Sequence, residues 1–253
     1  MRALFVLAVM VVNTVWMGLT VIIASALRIR NARWIYEGIP RLWCKANLRA
    51  AGVRMRIHGA ENVPRDEARI YVANHVSWFD VFALASYLPR YRFIAKKELF
   101  KLPVFGPAIR ATAAIEIDRG NRKAAFQAYE AAARDVKEGL SVVVYPEGTR
   151  GHTYELRPFK KGPFVLAIAA HVPIVPTIIH GTIEIQPKGS FRIRPGVIDI
   201  YFLDPISTTG LTYGDRDALM QKVWNRMADA LEEFGIHSAG SAVEDVDADS
   251  RSE

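Results

Sequence analysis

The stretch ARIYVANHVSWFD, residues 68–80, contains the change of pattern that sets the fold. ARIYV is a short apolar run of the kind a buried strand needs, rich in β-branched and aromatic residues. Asn74, His75 and Ser77 interrupt it, and from Phe79 to Leu88 an apolar helical pattern follows. A strand that enters a polar turn and then a helix is half of a βα unit.

The unit recurs in both directions. VRMRIHG (53–59) alternates and reads as an edge strand; YRFIAKK (91–97), AAIEID (113–118), SVVVYPEG (141–148) and PIVPTIIHG (173–181) read as further strands. GSFRIRPGVIDIYFLDPIS (189–207) adds one or two more. Between them lie helical patterns at NRKAAFQAYEAAARDVKEG (121–139) and GPFVLAIAAH (162–171), and DRDALMQKVWNRMADALEEFG (215–235) closes the series. Strands alternating with helices predict an α/β domain over 53–236, with a mostly parallel central sheet covered by helices on both faces. No internal repeat is present.

Ahead of this domain, residues 3–27 carry no charge. As a helix they would be about 37 Å long against a hydrocarbon core of about 30 Å, enough to span or deeply enter a bilayer. Ala24-Ser25-Ala26 resembles a signal cleavage site, but the apolar run exceeds the roughly 7–15 residues of a signal core, which favours a retained anchor. Apolar residues on every face disfavour a helix buried in a soluble core. Downstream, Trp34, Ile35, Gly38, Ile39, Leu42, Trp43 and Ala46 form one row, and Arg33, Glu37, Arg41, Lys45 and Arg49 another. That is an amphipathic helix suited to a membrane interface, with Pro40 kinking or restarting it. Residues 1–52 thus read as a membrane-embedded helical segment: an anchor with an interfacial helix.

The net charge of +7 is unevenly placed. The first 56 residues hold nine basic residues against one acid, Glu37, whereas the tail after Ile236 holds five acids against one Arg. Arg28, Arg30 and Arg33 after the apolar run place the catalytic side on the cytoplasmic face by the positive-inside rule. Basic charge at the membrane end gives no reason to expect nucleic acid. The tail, 237–253, is small, acidic and without apolar period, and reads as disordered. One cysteine, Cys44, excludes an intrachain disulfide framework, and the six histidines show no metal-ligand spacing, so no metal is expected.

In open α/β sheets ligands bind beyond the carboxyl ends of the strands. The polar motifs sit there: NHVSWFD, then Lys96 and Lys97, then IDRGN, then YPEGTRG. His75 is the natural general base, and Asp80, five residues on, can return from the helix start to fix its tautomer. With six histidines in the chain, one such spacing is weak by itself. A cap for Asp80 and a loop role for His75 stay open on spacing alone. Ser77 has no nucleophile-elbow surroundings and reads as a helix cap. Glu147 can accept from a hydroxyl, and Arg150 with Arg119 can fork onto a phosphate, with Lys96 and Lys97 adding to the field.

In this order the motifs resemble the glycerolipid acyltransferase family, of the 1-acyl-sn-glycerol-3-phosphate acyltransferase type. NHVSWFD matches its NHxxxxD block, AAIEIDR the block ending in IDR, Glu147-Gly148-Thr149-Arg150 the EGTR block, and Val172 to Pro176 the VPIVP block; KKEL and LPVFGP also fit. The resemblance covers roughly residues 70–180. It departs in Ala113 and Ala114, where a Gly is frequent, and in Gly151, where Ser is common, which bears on acceptor preference. The resemblance implies transfer of an acyl chain from acyl-CoA or acyl-carrier protein to the free hydroxyl of a membrane-borne lysophospholipid, giving phosphatidic acid, with no cofactor. His75 and Asp80 would be catalytic, while Arg119, Glu147, Gly148, Thr149, Arg150, Lys96 and Lys97 would bind substrate. Another lyso-lipid acceptor, such as a lyso-ornithine lipid, or a non-catalytic lipid-binding role, are the alternatives.

Overall fold

The structure is a computed structural model that describes residues 2–29, 32, 34–118 and 120–236. Arg119 and the acidic tail lie outside the described residues. Seven strands form one sheet: β1 (Val53–His58), β2 (Ile70–Ala73), β3 (Tyr91–Lys96), β4 (Ile115–Ile117), β5 (Ser141–Val144), β6 (Ile174–His180) and β7 (Gly196–Phe202). Their order is β1-β7-β6-β2-β5-β3-β4. Every pairing is parallel except β6 with β7, so the sheet is mixed but mostly parallel, as the βα pattern predicts. β1 is indeed at an edge, and its alternating burial reflects one covered face. The 189–207 segment yields one named strand; Pro195, which has no N–H to give a ladder, immediately precedes it.

Side chains of the central strands divide between two cores with the two-residue period of a pleat. Ile70, Val72, Val142 and Val144 face α5 (Arg122–Lys137), α6 (Gly162–Ala170) and α8 (Arg216–Glu233). Tyr71, Ala73, Val143 and Val175 face the other way, onto α2 (Ile39–Ala50) and α3 (Trp78–Tyr87). The N-terminal helix α1 (Arg2–Ala26) joins this second core through Val6.

α1 and α2 pack against each other as a hairpin. The Trp43 indole N–H donates to Thr14 Oγ1 at 3.1 Å, and Asn13 to Asn47 Oδ1 at 3.4 Å, which satisfies polar groups on otherwise apolar faces. The amphipathic helix is continuous with a π-helical turn at Trp34–Gly38, and Pro40 sits in the first turn of α2, where its missing N–H has no intrahelical partner to lose. The outer side of the hairpin exposes Phe5, Val12, Trp16, Ile23, Trp34 and Leu42.

Two short α-helices were not anticipated: α7 (Thr182–Ile185), after β6, and α4 (Phe105–Ala111), whose Gly106-Pro107 pair has turn chemistry. Pro107 is tolerated because it falls in the first helical turn, and Gly106 because a Cβ there would collide with the Phe100 carbonyl. α4 packs on α1, with Gly18 against the Val104 side chain.

α7 (Thr182–Ile185) follows β6 through Gly181, at φ 87°. A Cβ at Gly181 would fall against the Val197 carbonyl, so the left-handed turn and the close approach both require glycine. Gly181→Ala is expected to lower stability by about 2–4 kcal/mol in equilibrium denaturation. A loss under about 0.5 kcal/mol would show that the turn has another way to form.

Candidate active site

β2 and β6 are neighbours, and the side chain of Asn74 prolongs their pairing. Its amide donates to the Ile179 carbonyl at 2.9 Å and accepts from the Ile179 N–H at 2.7 Å. The chain is thereby held at the point where it turns to present His75. The backbone of His75 is clamped in turn by the EGTRG segment: its N–H donates to Glu147 Oε1 at 3.0 Å, and its carbonyl accepts from the Gly151 N–H at 2.7 Å.

His75 Nδ1 lies 2.8 Å from Asp80 Oδ2. The same oxygen accepts the N–H groups of Val76 at 2.7 Å and Ser77 at 2.8 Å, while Oδ1 accepts the Thr182 hydroxyl at 2.6 Å. Four donors thus converge on a side chain with 0% exposure, which suits a carboxylate that only accepts. Nδ1 is then the protonated nitrogen, and Nε2 keeps its lone pair for the cavity. Asp80 is both the helix cap and the partner of His75: the two readings of the spacing are one arrangement.

Ser77 is the N-cap of α3. Its hydroxyl donates to the Gln186 carbonyl at 2.7 Å and accepts from the Phe79 N–H at 3.2 Å, so the proton a nucleophile would give up is already committed. The Tyr145 ring stacks on the imidazole, with centroids 4.0 Å apart and planes at 17°. Its hydroxyl is buried without a partner, and burial, followed by the charge of Asp80, pushes the phenol well above its ordinary value. It stays protonated, a hydrogen-bond donor in the cavity wall.

A cavity of about 380 Å³ opens from His75. Trp78, Tyr145, Arg150, Lys96 and Lys188 line it with His75, together with Gly148 and Thr149. The Arg150 guanidinium stands 5.0 Å over the Trp78 ring, and burial draws it below its ordinary pKa despite the charge of Asp80. The remaining walls come largely from α1, α2 and α4, through residues such as Met17, Val21, Ile39 and Ile109. The membrane hairpin is therefore part of the site.

Two expected substrate-binding residues are engaged elsewhere. The Glu147 side chain is 2% exposed, with Oε1 on the His75 N–H and Oε2 on Arg157 Nε at 2.9 Å. Burial raises its pKa, opposed by Arg157 and the His75 amide. A glycerol hydroxyl finds no open face there: Glu147 instead holds the loop that carries His75. Lys97 pairs with Asp118 at 2.6 Å and, unlike Lys96, does not line the cavity. Arg119, next to Asp118, lies outside the described residues.

Sequence reasoning passed over five residues. Arg157 also donates to the hydroxyl and carbonyl of Thr149, pinning the EGTR turn; a buried Glu at a strand end requires a cation, and this is the first Arg beyond the EGTR turn. Thr182 and Lys188 follow the end of β6, which adjoins the His75 loop only once the strand order is known. Tyr145 had no separate signal within YPEGTRG. Tyr154 secures Thr182 by accepting the Gly181 and Ile183 N–H groups at 2.7 and 3.2 Å while donating to Glu184 at 2.9 Å.

A mostly parallel α/β sheet with a His–Asp pair at its carboxyl ends, an EGTR clamp and an apolar helical wall defines the class. Residues 54–180 match the sequence model of the Acyltransferase family, and the chain belongs to that family. It is 37% identical over 174 residues to a 1-acyl-sn-glycerol-3-phosphate acyltransferase of Limnanthes douglasii, covering 68% of this chain and 61% of the relative. To the alpha form of that enzyme from Homo sapiens it is 33% identical, covering 75% of this chain and 68% of the relative. The crystal structure of the 1-acyl-sn-glycerophosphate (LPA) acyltransferase PlsC from Thermotoga maritima superposes with a TM-score of 0.78 at 27% identity, over 93% of this chain and 95% of that one. The chain spans about 61% of the length of the Limnanthes relative. With its long apolar helix, 17% buried over the most hydrophobic window, the protein is membrane-associated.

Thr182→Val would leave a buried carboxylate oxygen of Asp80 without its donor. kcat is expected to fall about 10-fold with KM nearly unchanged, and Thr182→Ser to restore it. Equal activity of the Val and Ser variants would remove Thr182 from the relay.

Proposed function

We propose that the protein transfers an acyl chain from acyl-CoA or acyl-carrier protein to the free hydroxyl of 1-acyl-sn-glycerol 3-phosphate, giving phosphatidic acid. The carrying observation is a His75–Asp80 pair opening into a cavity whose lining includes Arg150, Lys96 and Lys188 together with side chains of α1 and α2. The names of the plant, human and Thermotoga relatives support the same acceptor.

His75 Nε2 takes the proton of the acceptor hydroxyl as its oxygen attacks the thioester carbonyl. The tetrahedral intermediate then collapses, the C–S bond breaks, and the proton passes from His75 to the departing thiolate. An ester and a free thiol result, with no acyl-enzyme, metal or cofactor in the scheme. Asp80 keeps the imidazole in the required tautomer and balances its charge as it protonates. Arg150 and Lys96 hold the acceptor phosphate, with Lys188 beside them and Arg119 assigned to the same task. Glu147 and Arg157 position the loop; Gly148 and Thr149 shape its wall.

The hairpin explains how a lipid acceptor arrives. Its exposed apolar face enters the bilayer, and its inner face packs at one end on the core of the catalytic domain through Val6 and at the other, through Val21 and Ala24, on a smaller cluster with Ile35 and Ile39. A helix so covered on one side sits better in one leaflet than across the membrane, with the catalytic domain against the cytoplasmic face.

His75→Ala and Asp80→Asn are each expected to reduce acceptor-dependent thiol release at least about 10²-fold in purified, folded protein. Wild-type release with lysophosphatidic acid should exceed that with other lysolipids, and release without acceptor should be negligible. Arg150→Ala should raise KM for the phosphate-bearing acceptor about 10-fold more than it lowers kcat. Full activity of His75→Ala would end the assignment, and equal rates on a lyso-ornithine lipid would move it to another acceptor.

A further inference from the structure

The far part of the cavity wall carries charge that acyl transfer leaves unused. Tyr91, at the start of β3, is in register with Ser141; Tyr145, stacked on His75, lies four residue steps beyond Ser141, about 13 Å away. Around Tyr91 the wall receives Arg90 from the bend before β3, Arg92 from β3 and Arg41 from the first turns of α2, with Glu37 among them. The Nε of each arginine is buried and has no hydrogen-bond partner. Their other recorded bonds are to main-chain carbonyls: Arg41 to Leu88 at 2.6 Å and Arg92 to Tyr91 at 3.1 Å. None makes a carboxylate ion pair among the described residues.

Three guanidinium groups gathered with two acids are costly to desolvate, and the burden shows in Arg92, which burial draws below its ordinary pKa, with Arg90 adding to the effect against Glu37 and Asp135. Arg90 is also held at φ 32°, in the left-handed region that a non-glycine residue enters at a cost. Buried donors without acceptors, like charge and local backbone strain fall together, and an oxyanion would relieve the first two. Guanidinium groups match phosphate with paired hydrogen bonds. The same cavity is lined by Met17 and Val21 of α1 and Ile39 of α2, so an occupant meets apolar helix surface as well as charge.

We propose that Arg41, Arg90 and Arg92 form a second anion site in the cavity, distinct from Arg150 and Lys96, that holds the phosphate of an anionic membrane phospholipid, one with no cationic headgroup to compete for it. The site depends on membrane association and not on the acyl-transfer chemistry, so its failure would leave the proposed reaction untouched. A bilayer lipid held there would brace the hairpin against the sheet and couple the shape of the catalytic cavity to anionic lipid in the membrane.

The test uses the full chain in neutral maltoside micelles, titrated with dioleoyl phosphatidylglycerol, with dioleoyl phosphatidylcholine and with inorganic phosphate, and reads the thermal unfolding midpoint. At about 100-fold over Kd, phosphatidylglycerol is expected to raise Tm by roughly 5–10 °C in the wild type. The gain should persist in Arg150→Ala and in Arg54→Gln, a control on the exposed side of β1. It should be lost in Arg90→Gln and Arg92→Gln. Should either Gln variant fail to fold, Arg92→Lys keeps the charge but not the planar fork and should bind at least about 10-fold more weakly. Equal stabilisation by phosphatidylcholine, or equal loss in Arg54→Gln, would overturn the site. Loss in Arg150→Ala with retention in Arg92→Gln would place the lipid at the catalytic mouth instead. Saturation by inorganic phosphate alone, lost in the same arginine variants, would overturn the lipid assignment in favour of a soluble anion.

Discussion

A carboxylate with no solvent exposure is stable in a protein only if its lone pairs are taken, and Asp80 has four donors from two places in the chain. Two are main-chain N–H groups of the turn after β2, one is the imidazole of that turn, and one is the Thr182 hydroxyl beyond β6. The last of these is possible only because β6 lies beside β2. Sheet order, the glycine turn at Gly181 and the helix cap of α3 therefore meet at a single side chain. Removing any of them leaves buried negative charge under-solvated, which links folding of the loop to readiness of the base.

The loop is held on its other flank by the segment after β5. There the Glu147 carboxylate joins the His75 amide to Arg157, and Arg157 reaches on to Thr149, so the EGTR turn and the histidine loop fix each other. The carboxylate that looked ready for a substrate hydroxyl is spent on this clamp. Such internal satisfaction is what burial at a strand end demands, since an unpaired Glu there would be raised in pKa and lose its charge.

The alternation of strands and helices, the edge position of β1, the cap role of Ser77 and the His75–Asp80 pair were legible because each depends on residues near one another in sequence. α4 was not, since Gly106-Pro107 follows turn statistics while tolerating helix in its first turn. Thr182, Arg157 and Lys188 were hidden for another reason: a hydroxyl, a guanidinium and an ammonium carry no local mark of the partner they will meet. Their roles follow from which strand ends adjoin. The antiparallel entry of β7 also lay beyond local pattern, because a βα reading assumes parallel neighbours.

The division of labour within the motifs bears on how acceptor preference could change without loss of catalysis. Asn74, Ser77, Asp80, Glu147 and Gly151 face inward and bind other parts of the protein, so their substitution disturbs the base itself. Lys96, Arg150 and Lys188 reach the cavity from different loops and, among the described residues, have no carboxylate ion pair. On the proposed reaction, altering one of these cations would change the headgroup the cavity accepts while the hydrogen bonds around Asp80 stay intact. The apolar wall lent by α1 and α2 is built from different residues again. Under that proposal, headgroup choice, chain accommodation and proton transfer would reside on separate elements that share one cavity.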